Sequence, residues 1–105
     1  MKTTHLNESN FDLILQSTTQ PVLVDFHADW CGPCRILGPV IDEIAEDQAG
    51  RAVVAKLNVD EAPAIAARYG INSITALIIF RDGKPVKSFV GVQPRTVLTA
   101  ALAAA

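Results

Sequence analysis

Cysteine is scarce in this sequence, which holds only Cys31 and Cys34 among its 105 residues. A pair this close cannot tie distant parts of a chain together, so an apolar core must hold the fold, and 50% of the residues are apolar. In a reducing compartment, such a pair is more typical of a catalytic or metal-binding site than of a structural bridge. The length suits one folding unit, and we predict a single domain over residues 1–105.

Long apolar segments and basic clusters are missing as well. No stretch approaches the roughly 20 apolar residues that cross a bilayer, and residues 1–6 lack the apolar segment of a secretory signal. The net charge is −2, without a run of lysine or arginine. This charge pattern argues against nucleic acid and anionic membranes as partners. We therefore expect a cytoplasmic protein that binds neither, and a monomer.

Apolar runs rich in β-branched residues predict the strands. Such runs occupy residues 22–26, 52–59 and 76–80, and a weaker strand is predicted at residues 3–6. Asp82-Gly83 is a strong hairpin signal, so residues 85–90 should return antiparallel to the strand before them.

Apolar residues at spacings of three and four predict the helices between these strands. They cover residues 11–15, residues 34–50 with a kink at Pro39, residues 62–68, and a final helix from Pro94 onward. The order β-α-β-α-β-α-β-β-α indicates an α/β sandwich with a mixed five-stranded sheet. Parallel strands should lie at its centre, an antiparallel hairpin at its edge, and the four helices on its two faces. Cys31 follows the strand at 22–26, at the carboxyl end where such sheets place their sites.

Five segments, taken in order, carry a resemblance to a known family. They are residues 24–34 (Val-Asp-Phe-His-Ala-Asp-Trp-Cys-Gly-Pro-Cys), 56–60 (Lys-Leu-Asn-Val-Asp), 69–71, 80–84 and 90–91. Together they resemble the thioredoxin family along nearly the whole chain, since Trp-Cys-Gly-Pro-Cys at a strand-to-helix turn is far more specific than the cysteine spacing alone. The resemblance implies the thioredoxin fold and a protein-disulfide reductase without a bound cofactor. Its implied partners are disulfide-containing proteins and a flavoprotein reductase that uses NADPH.

Two positions depart from the family's pattern. His27 stands where the family has tryptophan, and Thr75, in Ile74-Thr75-Ala76, stands where it has a cis-proline opposite the cysteines. A cis bond before a residue other than proline costs roughly 3–4 kcal/mol, against about 0.5–1 kcal/mol before proline. We therefore predict a trans Ile74–Thr75 bond, a local rearrangement, lower stability than with proline, and altered or reduced activity.

The resemblance makes Cys31 the attacking thiol and Cys34 the resolving one. A thiolate is the nucleophile in disulfide exchange, and the start of a helix favours the anion at Cys31. Cys34, one turn later, should be more buried and should attack Cys31 to release the substrate. Pro33 should limit flexibility and favour the dithiol. The alternative, an inert buried pair, fits poorly with Gly32-Pro33 between the cysteines.

Asp25 lies within an apolar strand, where a charge is costly. We interpret it as a buried proton acceptor with a raised pKa that acts on Cys34, through water. The alternative is a position on an exposed strand face. Lys56 on the neighbouring strand could tune Asp25, or it could be an ordinary exposed lysine. The acids of the long helix, Asp42, Glu43, Glu46 and Asp47, are predicted to form a solvated face.

An apolar rim is implied around the cysteines. Trp30 would shield the site and contact partners, unless it is a core residue. The predicted substrate-binding set is Trp30, Gly32, Pro33, Ile74, Thr75, Gly91 and Val92, with backbone pairing at residue 75 adding a strand-like contact to an extended peptide.

Two other functions remain open from the residues. Threonine at position 75 leaves room near the cysteines, and two chains would together offer four sulfur ligands for zinc or an iron–sulfur cluster. That site requires a dimer, because one chain supplies only two sulfurs. The second alternative is a docking module that uses the fold without its chemistry.

Overall fold

A computed structural model describes residues 3–105, and the part of the N-terminal prediction that concerns residues 1 and 2 lies outside it. The described chain contains the predicted elements in the predicted order. The strands are β1 (Thr4–Leu6), β2 (Val22–His27), β3 (Val53–Asn58), β4 (Ala76–Arg81) and β5 (Lys84–Val90). The helices are α1 (Phe11–Gln16), α2 (Gly32–Asp47), α3 (Pro63–Arg68) and α4 (Arg95–Ala104). None of these helices is both long and apolar enough to cross a bilayer.

The five strands form one mixed sheet in the order β1-β3-β2-β4-β5. Strands β1, β3 and β2 run parallel, whereas β4 is antiparallel to β2 and to β5. The turn between β4 and β5 has positive φ at Asp82 and Gly83, the backbone that a two-residue hairpin of this type needs. The central strand β2 therefore has a parallel neighbour on one side and the predicted antiparallel hairpin on the other.

The alternation of side chains along β2 divides the core into two layers. Val22, Val24 and Phe26 pack with α1 and α3, while Leu23 packs with α2 and α4. Asp25 shares the face of Leu23 by the same alternation. Its neighbours in register are Lys56 on β3 and Leu77 on β4. The acid therefore points toward the layer that contains α2.

Helix α2 begins at Gly32, two residues before the predicted start, and Cys31 is its N-cap residue. Pro33 fits in the first turn because the N–H groups there have no partner within the helix. The helix continues through Pro39 and ends at Asp47, before the predicted end near Gly50. The loop between β2 and α2 is thus only residues 28–31, and it places both cysteines at the end of the central strand.

Candidate active site at the end of the central strand

Cys31 and Cys34 are joined in a disulfide, with their Cα atoms 5.3 Å apart. The backbone N–H of Cys34 donates a hydrogen bond to Sγ of Cys31 at 3.2 Å. In turn, the N–H of Cys31 donates to the carbonyl oxygen of Ala28 at 3.2 Å, which closes the loop before the helix. A sulfur that accepts an N–H from the first turn of a helix lies where negative charge is stabilised.

Both cysteines are buried to a similar extent, Cys31 with 4% of its surface exposed and Cys34 with 6%. The prediction that Cys34 is the more buried residue was therefore wrong for the disulfide state. The S–S bond holds the Cys31 sulfur against Cys34, so the two side chains are shielded from solvent to a similar degree. Gly32 and Pro33, between them, are exposed.

Asp25, on the strand that leads into this loop, is buried with 1% exposure, which excludes the exposed strand face. Its Oδ1 accepts a hydrogen bond of 2.9 Å from the hydroxyl of Thr75. Burial raises the pKa of Asp25 from 3.8 to about 6, although the Thr75 hydrogen bond and the charge of Lys56 oppose the rise and Asp42 adds to it. The raised pKa agrees with the prediction and places this carboxyl in the range in which proton acceptors work near neutral pH.

The peptide bond between Ile74 and Thr75 is cis, so the prediction of a trans bond was wrong. That prediction used the preference of an isolated peptide, whereas Thr75 is fully buried and held by tertiary contacts. Its hydroxyl binds Asp25, and its carbonyl oxygen accepts the N–H of Gly91 at 2.8 Å. Contacts to two distant segments therefore set the backbone here.

Lys56 lies beside Asp25 in the register of β2 and β3, as predicted, but its ammonium group forms an ion pair with Asp42 on α2, with Nζ and Oδ1 3.0 Å apart. Oδ1 of Asp42 also accepts the Thr3 hydroxyl at 2.7 Å. Burial raises the pKa of Asp42, but the hydrogen bonds from Thr3 and Lys56 outweigh it and leave the pKa below its usual value.

The long helix is thus not the purely solvated acidic face that was predicted. Asp42 lies partly buried beneath it, while Glu43 and Asp47 both bind Arg95 on α4. A Cβ at Gly38, four residues before Asp42, would lie at an ordinary contact distance, 3.6 Å, from Nζ of Lys56, so the lysine reaches α2 beside this glycine. Nothing in the sequence marks Asp42 as the partner of Lys56.

The predicted rim residues other than Thr75 are exposed or partly exposed. Trp30 is 68% exposed, which excludes a core role, and its indole N–H donates to Oδ2 of Asp60 at 2.9 Å. It lines a cleft of about 440 Å³ together with Ile74. Gly91 and Val92 retain exposure, but Thr75 has none, so its backbone is not open to a peptide in the disulfide state. Asp60, which fixes Trp30, was missed because nothing in the sequence pairs them.

No three side chains of histidine, cysteine, aspartate and glutamate within residues 3–105 lie close enough together to hold a metal ion. The sulfur atoms are bonded to each other. The arrangement therefore offers redox chemistry at the disulfide itself, with a titratable carboxyl behind it.

Comparisons with known proteins agree with this geometry. The family model for thioredoxin matches residues 2–104. The thioredoxin of Alicyclobacillus acidocaldarius is 51% identical over 98 residues, which cover 93% of this chain and 92% of that protein. Thioredoxin 1 of a Nostoc species is 46% identical, over 92% of this chain and 91% of its own. The structure of a mutant thioredoxin from Halobacterium salinarum superposes with a TM-score of 0.90 at 36% identity, covering 98% of this chain and 89% of that one.

These findings give no support to a metal site shared by two chains or to a docking module without chemistry. In this family the cysteine pair carries the redox reaction, no cofactor is needed, and the substrates are proteins that contain disulfides. The fold, the Cys31–Cys34 disulfide and the relatives lead to one conclusion: the chain belongs to the thioredoxin family of thiol–disulfide oxidoreductases.

Proposed function

We propose that this chain works as a reductase of protein disulfides, with Cys31 as the attacking and Cys34 as the resolving cysteine. The observation that carries the assignment of roles is the hydrogen bond from the Cys34 N–H to Sγ of Cys31. An N–H at a helix start stabilises a thiolate on Cys31, and the thiolate is the attacking species in exchange. The reverse assignment has no such donor for Cys34 among the contacts of residues 3–105.

The proposed cycle begins with the dithiol. The Cys31 thiolate attacks one sulfur of the substrate disulfide, which forms a mixed disulfide and releases one substrate thiolate that takes up a proton. Cys34 then loses its proton and attacks Sγ of Cys31, which breaks the mixed disulfide and releases the second substrate thiolate. Two electrons pass from the cysteine pair to the substrate, and the Cys31–Cys34 disulfide of the structure is the product state.

Asp25 is the proposed acceptor of the Cys34 proton. Its burial and its pKa of about 6 support this role, because such a group accepts a proton at neutral pH and can release it again at little cost. Lys56 would act on Asp25 through its charge and, since it is paired with Asp42, would not contact the reacting atoms.

The exposed surface around the disulfide is the proposed docking place for the substrate peptide. Trp30, the residue before Cys31, and Ile74 line one cleft. The remaining members are exposed or partly exposed, namely Gly32, Pro33, Gly91 and Val92. An apolar rim around a reactive sulfur suits an extended peptide, whose cysteine must approach Cys31 closely.

A flavoprotein reductase that uses NADPH is the proposed source of electrons for the next cycle, by the family resemblance. The cytoplasm is the proposed location, supported by the named bacterial relatives and by a redox pair rather than structural disulfides. We also propose that residues 1–105 form one domain, since the family model covers nearly all of them.

Substrate trapping tests the two cysteine roles. In an insulin-reduction assay driven by dithiothreitol, Cys31→Ser should reduce turnover to the uncatalysed background. Cys34→Ser should instead accumulate a mixed disulfide between Cys31 and the substrate, visible as an added mass by intact-protein mass spectrometry. A trapped complex formed by Cys31→Ser through Cys34 would reverse the assignment, and parent-like turnover by both variants would exclude the activity from this site.

A further inference from the structure

We propose that Thr75 is a positioning residue for proton transfer: its hydroxyl holds Oδ1 of Asp25 and leaves Oδ2 to exchange the proton of Cys34. This rests on the proposed role of Asp25 as the proton acceptor. The sequence marked Thr75 as a departure from proline and as a member of the predicted rim, without a role for its hydroxyl. Its side chain adds to this site a hydroxyl that proline cannot provide.

The sheet explains why Thr75 reaches Asp25. Leu77 is the neighbour of Asp25 in the antiparallel register of β2 and β4, and Thr75 lies two residues before Leu77. Thr75 immediately precedes β4, and from there its side chain reaches Asp25 diagonally across the pair of strands. The hydroxyl oxygen lies 2.9 Å from Oδ1, and the N–H of Gly91 fixes the Thr75 carbonyl at 2.8 Å.

The contact makes the two carboxylate oxygens of Asp25 unequal. Within residues 3–105, the Thr75 hydroxyl is the only hydrogen-bond donor to this side chain, and it binds one oxygen. When Oδ2 carries the proton, Oδ1 is the carbonyl oxygen of the acid and still accepts a hydrogen bond from the hydroxyl, so the pair stays in contact in both protonation states. Donation to the charged form stabilises it in a buried site, where an unpartnered charge is costly.

Two charged groups shift the pKa of Asp25 but do not single out one of its oxygens. Lys56 faces it from β3 and lowers its pKa, and Asp42 faces it from α2 and raises it. His27 follows it on β2, with a pKa lowered first by burial and then by Lys56. A substitution at Thr75 leaves these three groups in place, so its effect on Asp25 can be measured separately.

The test compares Thr75→Val with Thr75→Ser. Valine has nearly the shape of threonine without the hydroxyl, and serine keeps the hydroxyl without the methyl group. The pKa of Asp25 is measured by carboxyl carbon NMR titration of the oxidised protein. We expect valine to raise the pKa by about one pH unit or more, because a hydrogen bond to a charged group is lost. Serine should keep the parent value. Equal pKa values in the parent and both variants would overturn the proposal.

A second readout separates this proposal from the role of Asp25. The rate at which a small disulfide oxidises the dithiol is measured against pH, and its midpoint should move upward with the Asp25 pKa in Thr75→Val. A shifted pKa with an unmoved rate profile overturns the proton-acceptor role and the positioning role with it. An unshifted Asp25 pKa in Thr75→Val overturns only the positioning role of Thr75. The rate profile of Asp25→Asn then still tests whether Asp25 accepts the proton. Thr75→Ala, which also lacks the hydroxyl, replaces valine if that variant does not fold.

Discussion

Two carboxylates of this protein are held by side chains from distant parts of the chain, in opposite surroundings. Asp25 binds the neutral hydroxyl of Thr75, 50 positions away, inside the protein. Asp12 on α1 binds the guanidinium of Arg68 on α3, 56 positions away, with N–O distances of 2.6 and 3.2 Å. The second contact joins full opposite charges in two places, yet both of its side chains are about half exposed.

Burial, and not the strength of the partner, decides which of the two contacts has chemical consequences. Water already stabilises the charges of an exposed pair, so such a pair contributes little and is screened by salt. The hydrogen bond to Asp12 raises the pKa of Arg68, whose ordinary value is already far above neutral, so its charge does not change at physiological pH. Asp25 is buried away from water, and its pKa of about 6 means that it can gain and lose a proton near neutral pH.

The largest expected effect is that of Asp25→Asn on stability. Because folding raises the Asp25 pKa from 3.8 to about 6, the folded state binds the proton more tightly than the unfolded state between these values. The parent therefore loses stability as pH rises through this window. The asparagine variant lacks this loss and should be more stable than the parent by about 3 kcal/mol above pH 7.

Urea unfolding of the oxidised proteins between pH 3 and pH 8 measures this difference. The advantage of Asp25→Asn should grow between about pH 4 and pH 6 and then level off. An advantage for Asp25→Asn that is the same at every pH would mean that packing, and not the buried charge, distinguishes the two sites.

The second prediction concerns the ion pair of Lys56 with Asp42, which is less exposed than the pair of Asp12 with Arg68 and less buried than Asp25. Asp42→Asn removes a negative charge that raises the Asp25 pKa and frees the ammonium group of Lys56 from its ion pair. Both changes favour the charged form of Asp25, so its pKa should fall, by up to about one pH unit. The NMR titration of Asp25 measures it, with Glu43→Asn, on the exposed side of the same helix, as the control. A rise in the Asp25 pKa would contradict this arrangement.

Much of the fold could be predicted because its signals are local. The apolar runs of β2 and β4 and the Asp82-Gly83 turn each specify their element from adjacent residues. The parallel pairing of β2 with β3 followed from chain order and from the crossover rules. Asp25 could be recognised because a single charge interrupts an apolar strand.

The rest of the site could not be predicted, because it depends on which distant residues meet. The backbone at Thr75 follows from contacts to Asp25 and Gly91, whereas the sequence-based prediction had only the peptide preference. The pairing of Lys56 with Asp42 depends on how α2 is oriented about its own axis where it packs on β3. The spacing of apolar residues defines this orientation only coarsely. The similar burial of the two cysteines belongs to the disulfide state, and a sequence does not encode the oxidation state.

A third prediction tests an exposed hydrogen bond that lies at the site. Asp60→Ala removes the acceptor of the Trp30 indole N–H, and Trp30 is the one tryptophan of the chain, so its fluorescence reports the change directly. We expect a shifted emission and a KM for a protein disulfide raised about two- to fivefold, since an exposed hydrogen bond contributes little. Rates with a small disulfide should not change. A large loss with both substrates would mean that Asp60 supports the cysteines and not the rim.

The smallest effect is expected from Asp12→Asn, which sets the lower end of the comparison. Asparagine keeps an oxygen for the Arg68 guanidinium, whose carbon also lies 5.9 Å from the ring centre of Phe11 and 5.8 Å from that of Tyr69. These contacts remain when the acid is replaced, so the variant loses only a solvated charge interaction. Its melting temperature should stay within the measurement error of the parent at high salt and fall slightly at low salt, where screening is weak. If Asp12→Asn lowered stability by several kcal/mol at every salt concentration, burial could not be what separates the two contacts, and the geometry of the paired groups would have to explain the difference.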